Sequence, residues 1–439
     1  MENELKQELI DKIKNKTAKI GVVGLGYVGL PLAVEKAKAG YSVTGFDIQA
    51  DKVKMVNEGI NYIGDVVDDE LTNLVNNAKL SATSDFAFVH NVDTLAICVP
   101  SPLDKYKQPD LSYVISSAKS IAQYLHRGML IVLESTTYPG TTEEVLKPIF
   151  EGKGYKCGSD FFLAFSPERV DPGNKQYNTK NTPKVVGGCT PDCTELAALL
   201  YENVLDGDVL KVSSPAVAEM EKILENTFRN INIALANEMA ILCSRMGIDV
   251  WEVIDAASTK PYGFMPFYPG PGLGGHCIPL DPAYLEWKAK EFNYHTRLIE
   301  ISAEINDSMP EFVVNNAMKL LNQHKKAANG AKVLILGMAY KNDIDDYRES
   351  PTFKIIDNLE ELKAEIFVND PFVNQAFYRG RLYKSIDWEE VIDRCDITII
   401  ITAHSCYDYP EIIRRSKIVY DTRNATKNTG VIYSNVYKL

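Results

Sequence analysis

The chain has 439 residues, with 47 Lys and Arg against 59 Asp and Glu, for a formal net charge of −12. This acidic balance argues against a nucleic-acid surface, which needs clustered cations to neutralise phosphates, although a few local cations can still hold an anionic ligand. Hydrophobic residues at 45% and charged residues at 24% fit a globular protein, and the length passes the roughly 250 residues at which single cores stop growing, so several domains are expected.

In chain order, "MENELKQELIDKIKNKTAK" reads as a charged amphipathic helix and not a secretory signal. No apolar run approaches the ~18 residues of a membrane span, so a cytoplasmic protein with no membrane partner is expected. "AKIGVVGLGYVGLPLAVEKAKAG" then reads as a strand, a glycine turn and a helix that ends at Gly40. "YSVTGFDI" is the next strand, and "DTLAICVPSP" and "GMLIVLEST" are two more, separated by a helical stretch over 111–125. Alternation of strand and helix implies a doubly wound parallel sheet.

After Pro215, some thirty residues carry apolar side chains at helical spacing with no internal Gly or Pro. One helix of that length spans about 45 Å at 1.5 Å per residue, long enough to bridge two domains and offer a face to a second subunit. A second α/β pattern starts at "AKVLILGMAYK" and runs through "AEIFVND" and "DITIIITAH" to "KIVYDTRN", with "LNQHKKAANG" as the linker into it. Its first turn keeps only Gly337. The expected architecture is α/β: two Rossmann-like doubly wound domains, 1–205 and 323–439, joined through a helical dimerisation segment, 206–322.

Gly24, Gly26 and Gly29 form G-x-G-x-x-G directly after a strand and at the opening of a helix, and Asp47 closes the following strand. Three glycines let backbone N–H groups approach a pyrophosphate at the positive helix end, while Asp47 accepts from a ribose 2′-OH and repels a 2′-phosphate. NAD is therefore the expected cofactor. "VPSP" and "ESTTYPGTT" lie at the carboxyl ends of later strands, where their hydroxyls could serve a ligand or simply form turns. Eight scattered cysteines do not suggest a disulfide framework, and the pair Cys189 and Cys193 has neither a second pair nor a nearby His, so no metal is expected.

"GVVGLGYVGLPLA", "VPSP", "ESTTYPGTT", "FSPERVDPG", "AEMEKILENTFRNINIALANE", "GPGLGGHCIPLDP" and "LGMAYKNDIDDYRESP" follow one another at suitable spacing. With them the chain resembles the UDP-glucose/GDP-mannose dehydrogenase family over nearly its full length, and most of all the branch that oxidises UDP-N-acetylhexosamines such as UDP-N-acetylglucosamine. The resemblance implies that a sugar C6 alcohol becomes a carboxylate, a four-electron oxidation that uses two NAD and water. An aldehyde cannot lose a second hydride until a nucleophile has added to it, which gives a cysteine its purpose: a thiohemiacetal first, then a thioester, then water.

By the same resemblance Cys277 is the nucleophile, Lys222 and Asn226 reach the reacting oxygen, and Thr136 and Asp281 position or activate water. Glu168 is the remaining acid–base candidate. The implied cofactor set is Gly24, Gly26, Gly29, Asp47, Lys52, Ser101, Thr136 and Arg348. The implied substrate set is Glu168, Arg169, Lys222, Asn226, Tyr268, Gly274, Lys341 and Arg423. Plainer readings stand beside these: Lys222 and Asn226 as a solvated helix face, Asp281 before Pro282 as a helix N-cap, Glu168 with Arg169 as an ion pair. His276 is not expected to activate its neighbour, because adjacent side chains of an extended loop point apart; Lys222 or backbone dipoles suit that role better.

Three positions depart from the UDP-glucose branch: Pro172 in place of a second acid, Leu280 in place of a Lys, and only Lys260 where an Arg would be donated across subunits. All three disfavour UDP-glucose. UDP-N-acetylmannosamine or UDP-glucose remain alternatives within the same chemistry. A two-electron β-hydroxyacid dehydrogenase and a non-enzymatic NAD-binding regulator are the readings outside it. A homodimer or higher homo-oligomer is expected from the long helix.

Overall fold

The computed structural model describes residues 2–171, 174, 176–275, 277–430 and 433–439. Two compact units emerge, Met1–Glu225 with Ala283–Tyr294, and Asn226–Pro282 with His295–Leu439.

The first unit is built on eight strands: β1 (Lys19–Val23), β2 (Ser42–Phe46), β3 (Leu80–Thr83), β4 (Thr94–Ile97), β5 (Leu130–Leu133), β6 (Phe162–Phe165), β7 (Lys184–Gly188) and β8 (Val209–Val212). They form one sheet in the order β3-β2-β1-β4-β5-β6-β7-β8. Strands β4, β5 and β6 read TLAI, LIVL and FLAF and are buried throughout, as parallel strands covered on both faces must be. The order reverses between β1 and β4, registered Ile20 to Thr94, which is the point where such sheets bind ligands. One pairing breaks the parallel pattern: β7 runs antiparallel to β6. The N-terminal amphipathic helix, Glu2–Lys14, buries Leu9 and Ile13 in this unit's core. Its Lys6 reaches Asp192 at 2.6 Å and Glu195 at 2.5 Å on the Pro191–Glu202 helix.

The second unit carries β9 (Lys332–Leu336), β10 (Glu365–Asn369), β13 (Ile397–Ile400), β14 (Val419–Asp421) and β15 (Val436–Lys438) in a parallel sheet ordered β10-β9-β13-β14-β15, with β11 (Gln375–Tyr378) and β12 (Arg381–Lys384) as a separate hairpin. The α/β class with two Rossmann-like sheets is thus the observed one. The long helix is a single element, Pro215–Met246, of 32 residues. A second long helix, Arg297–Gln323, takes in Leu321, Asn322 and Gln323, which had read as linker. Leu320 and Leu321 are buried, and the helix ends only where Lys325 turns left-handed at φ 58.

Candidate active site

The three glycines of the first turn have three separate tasks. Gly24 has φ +89, and a Cβ there would lie 2.6 Å from the Cys98 carbonyl; at Gly29 a Cβ would lie 1.8 Å from the Gly24 carbonyl, so the helix Gly29–Lys38 could not pack against the turn. Gly26 is different, because a Cβ there meets nothing within 4 Å. Its bare backbone faces open space, as a pyrophosphate approaching the helix N-terminus requires. Asp47 holds the turn from the end of β2, accepting from the Leu25 N–H through Oδ2 and the Gln49 N–H through Oδ1, both at 2.9 Å. Each oxygen keeps lone pairs for a ribose hydroxyl, so the residues present fit NAD. Lys52 stands half-buried in the next helix, Ala50–Asn57.

Beyond β4 and β5, most hydroxyls prove to be structural. Ser101 Oγ donates to the Thr136 carbonyl at 2.6 Å, Ser135 Oγ to the Val99 carbonyl at 2.7 Å, and Thr137 and Thr141 share a bond at 2.6 Å. Buried Glu219 accepts from the N–H of Gly140 and from the N–H and hydroxyl of Thr142. The half-buried Thr136 hydroxyl has no such partner among the described residues, which leaves it for a ligand.

Glu168 does not pair with Arg169, contrary to the plainer reading from sequence. Its Oε1 accepts from the N–H groups of Arg169 and Val170 at 2.8 and 2.9 Å, while Lys184 Nζ stands 3.5 Å from Oε2. Burial by itself pushes the carboxyl up. The Lys184 charge, those two N–H groups and Lys222 outweigh it, and Glu168 lies below the usual carboxylate range. The Arg169 guanidinium turns instead to Glu225, and donates to the Pro183 carbonyl at 3.0 Å. Lys222, one turn before Asn226 on the long helix, is 7% exposed, so this is no solvated face. Cys193 is buried and bonded locally, its sulfur accepting from the Leu163 N–H at 3.4 Å, and all eight cysteines are free. Among the described residues, no group of three His, Cys, Asp or Glu is arranged to hold a metal.

In the second unit Cys277 is exposed and opens the helix Cys277–Ala289. Asp281 and Pro282 are therefore inside that helix, and Asp281 is not its N-cap. The sequence misled because a proline after an acid looks like a helix start. An interior proline has no N–H for the carbonyl four residues back, here that of Ile278. Asn230 Nδ2 supplies the missing donor at 3.0 Å. One turn earlier on the long helix, Asn226 Nδ2 donates to Asp281 Oδ2 at 2.5 Å, with both residues buried. Farther along, Asn237 Oδ1 accepts from the Gly270 N–H at 2.9 Å, and Asn306 links Asn237 to the Asn230 carbonyl at 2.9 and 3.1 Å. Buried asparagines thus grip both ends of the glycine loop, and sequence reading found only Asn226. His276 and Pro172 lie outside the described residues.

The loop glycines face protein. A Cβ at Gly270 would lie 2.4 Å from Arg423 Nη1, at Gly272 3.0 Å from Pro351, at Gly274 2.5 Å from Tyr340 Cβ, and at Gly275 2.8 Å from the Tyr340 ring. With no side chains in the way, the loop closes on the segment 337–351. That segment leaves β9 through Gly337 at φ +104. Arg348 donates to both oxygens of Asp346, at 2.9 and 2.6 Å from Nε and Nη2, and its carbonyl accepts from Gly275 N–H at 3.1 Å. Lys341 is half-buried in the same segment. Arg423 donates through Nε to the Ile401 carbonyl at 2.9 Å, and burial pushes it down to about 10, still cationic at neutral pH. Tyr268 stacks on Trp251 with ring centroids 6.0 Å apart and stays 47% exposed.

A Rossmann sheet with this turn defines the class of NAD-binding α/β proteins, and the second unit carries an exposed thiol and a buried Asn–Asp pair. Comparison with known proteins is more specific. Family models described as the UDP-glucose/GDP-mannose dehydrogenase NAD binding, central and UDP binding domains match residues 18–205, 216–308 and 334–428. The UDP-N-acetyl-D-glucosamine 6-dehydrogenase of Pseudomonas aeruginosa is 40% identical over 366 residues, which is 82% of this chain and 84% of that protein. The UDP-N-acetyl-D-mannosamine dehydrogenase of Pyrococcus horikoshii is 35% identical over 419 residues, 94% of this chain and 97% of that one. A solved structure of the UDP-D-ManNAc dehydrogenase of that organism superposes with a TM-score of 0.87 at 33% identity, covering 96% of this chain and 98% of the other. The chain belongs to the UDP-glucose/GDP-mannose dehydrogenase family, and its activity is that of an NAD-dependent UDP-sugar dehydrogenase.

Proposed function

We propose that the chain oxidises the C6 alcohol of UDP-N-acetylglucosamine to the uronic acid through a covalent thioester on Cys277, as a step toward a surface polysaccharide or glycan. The observation that carries the mechanism is the buried Asn226–Asp281 pair at 2.5 Å, one helical turn from the exposed thiol. For the sugar, the support is the 40% identity to a glucosamine-type enzyme. The 35% identity to mannosamine-type enzymes favours UDP-N-acetylmannosamine as the second reading.

Bound NAD supplies the hydride acceptor, used twice. Glu168, held ionised, takes the hydroxyl proton as the alcohol becomes an aldehyde. The Cys277 sulfur then forms a bond to the aldehyde carbon at the positive end of its helix, where negative charge is stabilised. Lys222 and the amide of Asn226 steady the oxygen that gains charge. Loss of the second hydride leaves a thioester, and water oriented by Asp281 and Thr136 adds to the carbonyl, releasing the carboxylate and the thiol. Gly24, Gly26, Gly29, Asp47, Lys52, Ser101 and Arg348 are assigned to NAD. Arg169, Tyr268, Gly274, Lys341 and Arg423 are assigned to the UDP-sugar. Eight free cysteines support a reducing, cytoplasmic setting, and no helix among the described residues is long and apolar enough to cross a membrane.

Two NADH per UDP-sugar consumed is the expected stoichiometry, with Cys277→Ser nearly inactive in steady state or stalled before carboxylate release. One NADH with a keto product, or a serine variant with wild-type turnover, would refute the thioester route. Rates measured side by side on UDP-N-acetylglucosamine, UDP-N-acetylmannosamine and UDP-glucose decide the sugar.

A further inference from the structure

Lys184 lies at the start of β7, and the antiparallel run of that strand brings it to the carboxyl end of β6, the edge where ligands bind in such sheets. Its ammonium has three N–H donors. One goes to Glu134 Oε2 at 2.6 Å and one to the Pro167 carbonyl at 3.2 Å, and Glu168 Oε2 stands 3.5 Å away. Glu134 is fully buried at the end of β5, with its other oxygen taken by the Tyr201 hydroxyl. The Tyr201 ring lies beneath Lys184 at 5.1 Å. A buried ion pair of this kind seldom stabilises a fold better than apolar side chains of similar volume. Its place here needs another reason.

We propose that Lys184 is a positioning residue: clamped between Glu134 and Glu168, it keeps Glu168 ionised and in one orientation, ready to take the substrate proton. This rests on the assignment of Glu168 as the base. The groups facing the Glu168 carboxylate are Lys184 from β7, the N–H groups of Arg169 and Val170, and Lys222 from the long helix. Arg169 itself is drawn off to Glu225, and burial pushes the Cys98 thiol up, so it stays neutral. Lys184 is thus the cation closest to hand, and Glu134 balances its charge.

The sign follows directly. A group held below its usual range is lost as a base only at low pH, and removing Lys184 moves that loss to higher pH. The test is the pH profile of kcat/KM for UDP-N-acetylglucosamine with saturating NAD. Glu134→Gln with Lys184→Met removes both charges of the pair while sparing Glu168, and Lys184→Gln is a second variant should the first fail to fold. The acid limb is expected to move up by about 1 pH unit, the effect of one nearby charge, in either variant. Lys184→Arg should restore the wild-type limb. A wild-type limb in a folded Lys184→Gln or double variant would overturn the proposal. Glu168→Gln separates the two ideas: full activity there refutes Glu168 as base, whereas an inactive Glu168→Gln beside an unmoved limb refutes only the role of Lys184.

Discussion

At the scale of single residues, Gly26 isolates cofactor binding from folding. Gly24 and Gly29 are needed by the protein itself, since a Cβ at either would run into backbone, whereas a Cβ at Gly26 would stand in open space. Gly26→Ala should therefore fold with a melting temperature within about 2 °C of wild type, the shift expected of a change below about 0.5 kcal/mol. NAD affinity should fall by about tenfold or more, because the methyl occupies the approach to the pyrophosphate. Calorimetric titration of NAD with thermal melts of both proteins checks this, and tight NAD binding by the variant would mean that the ligand does not come over that glycine. The three glycines and Asp47 were legible in the sequence because their chemistry is local. Lys184 was not, because its partner Glu134 is fifty residues away and nothing in "PKVVGG" announces an antiparallel strand.

At the scale of elements, the decisive feature is how an interrupted helix is held. The Cys277–Ala289 helix contains Pro282, which frees the Ile278 carbonyl, and Asn230 on the long helix satisfies it. Sequence reading placed Cys277 in a loop and offered a capping role as the plainer alternative for Asp281, because a proline's cost to a helix is visible in a sequence while a remote side chain that offsets it is not. Asn230→Ala leaves that part-buried carbonyl without its side-chain donor, while the Asn306 bond to the Asn230 backbone carbonyl remains, at a cost of about 1–3 kcal/mol. The expected outcome is a lower melting temperature together with a fall in kcat, with the KM for NAD little changed, since the glycine turn lies in the first unit. Asn232→Ala is the control: its amide bonds only the Phe228 carbonyl of its own helix, and the change should stay within about 0.5 kcal/mol. Equal effects from the two substitutions would show that the Ile278 bond does not matter.

At the scale of the whole molecule, the long helix carries an apolar seam that stays largely exposed among the described residues. Val217, Met220, Leu224, Phe228, Leu235, Leu242 and Met246 are all more than 40% exposed, and their spacings of three, four and seven residues put them in one stripe. The length and single continuity of this helix were legible from the absence of Gly and Pro. Which of its apolar residues would remain outside the core was not, because the 3.6-residue period marks apolar positions without saying whether the partner is the same chain or another. The inward positions of the same helix mix apolar Ala218, Ile223, Ala234 and Ala240 with buried Lys222, Asn226, Asn230 and Asn237. An apolar face left outside, on a helix that already has a buried face, is what a helix shows when its outer side meets a second copy. We therefore expect a homodimer, or a higher assembly built from it, with this stripe at the interface. Leu235→Glu lies near the middle of the stripe, on the exposed side, and brings a charge into any interface formed there. Sedimentation velocity should show the wild type as a dimer at micromolar concentration and the variant shifted to monomer, with dimer affinity reduced by about a hundredfold or more, as a buried unpaired charge implies. A wild type that sediments as a monomer, or a Leu235→Glu dimer of undiminished affinity, would exclude the stripe as the contact between copies.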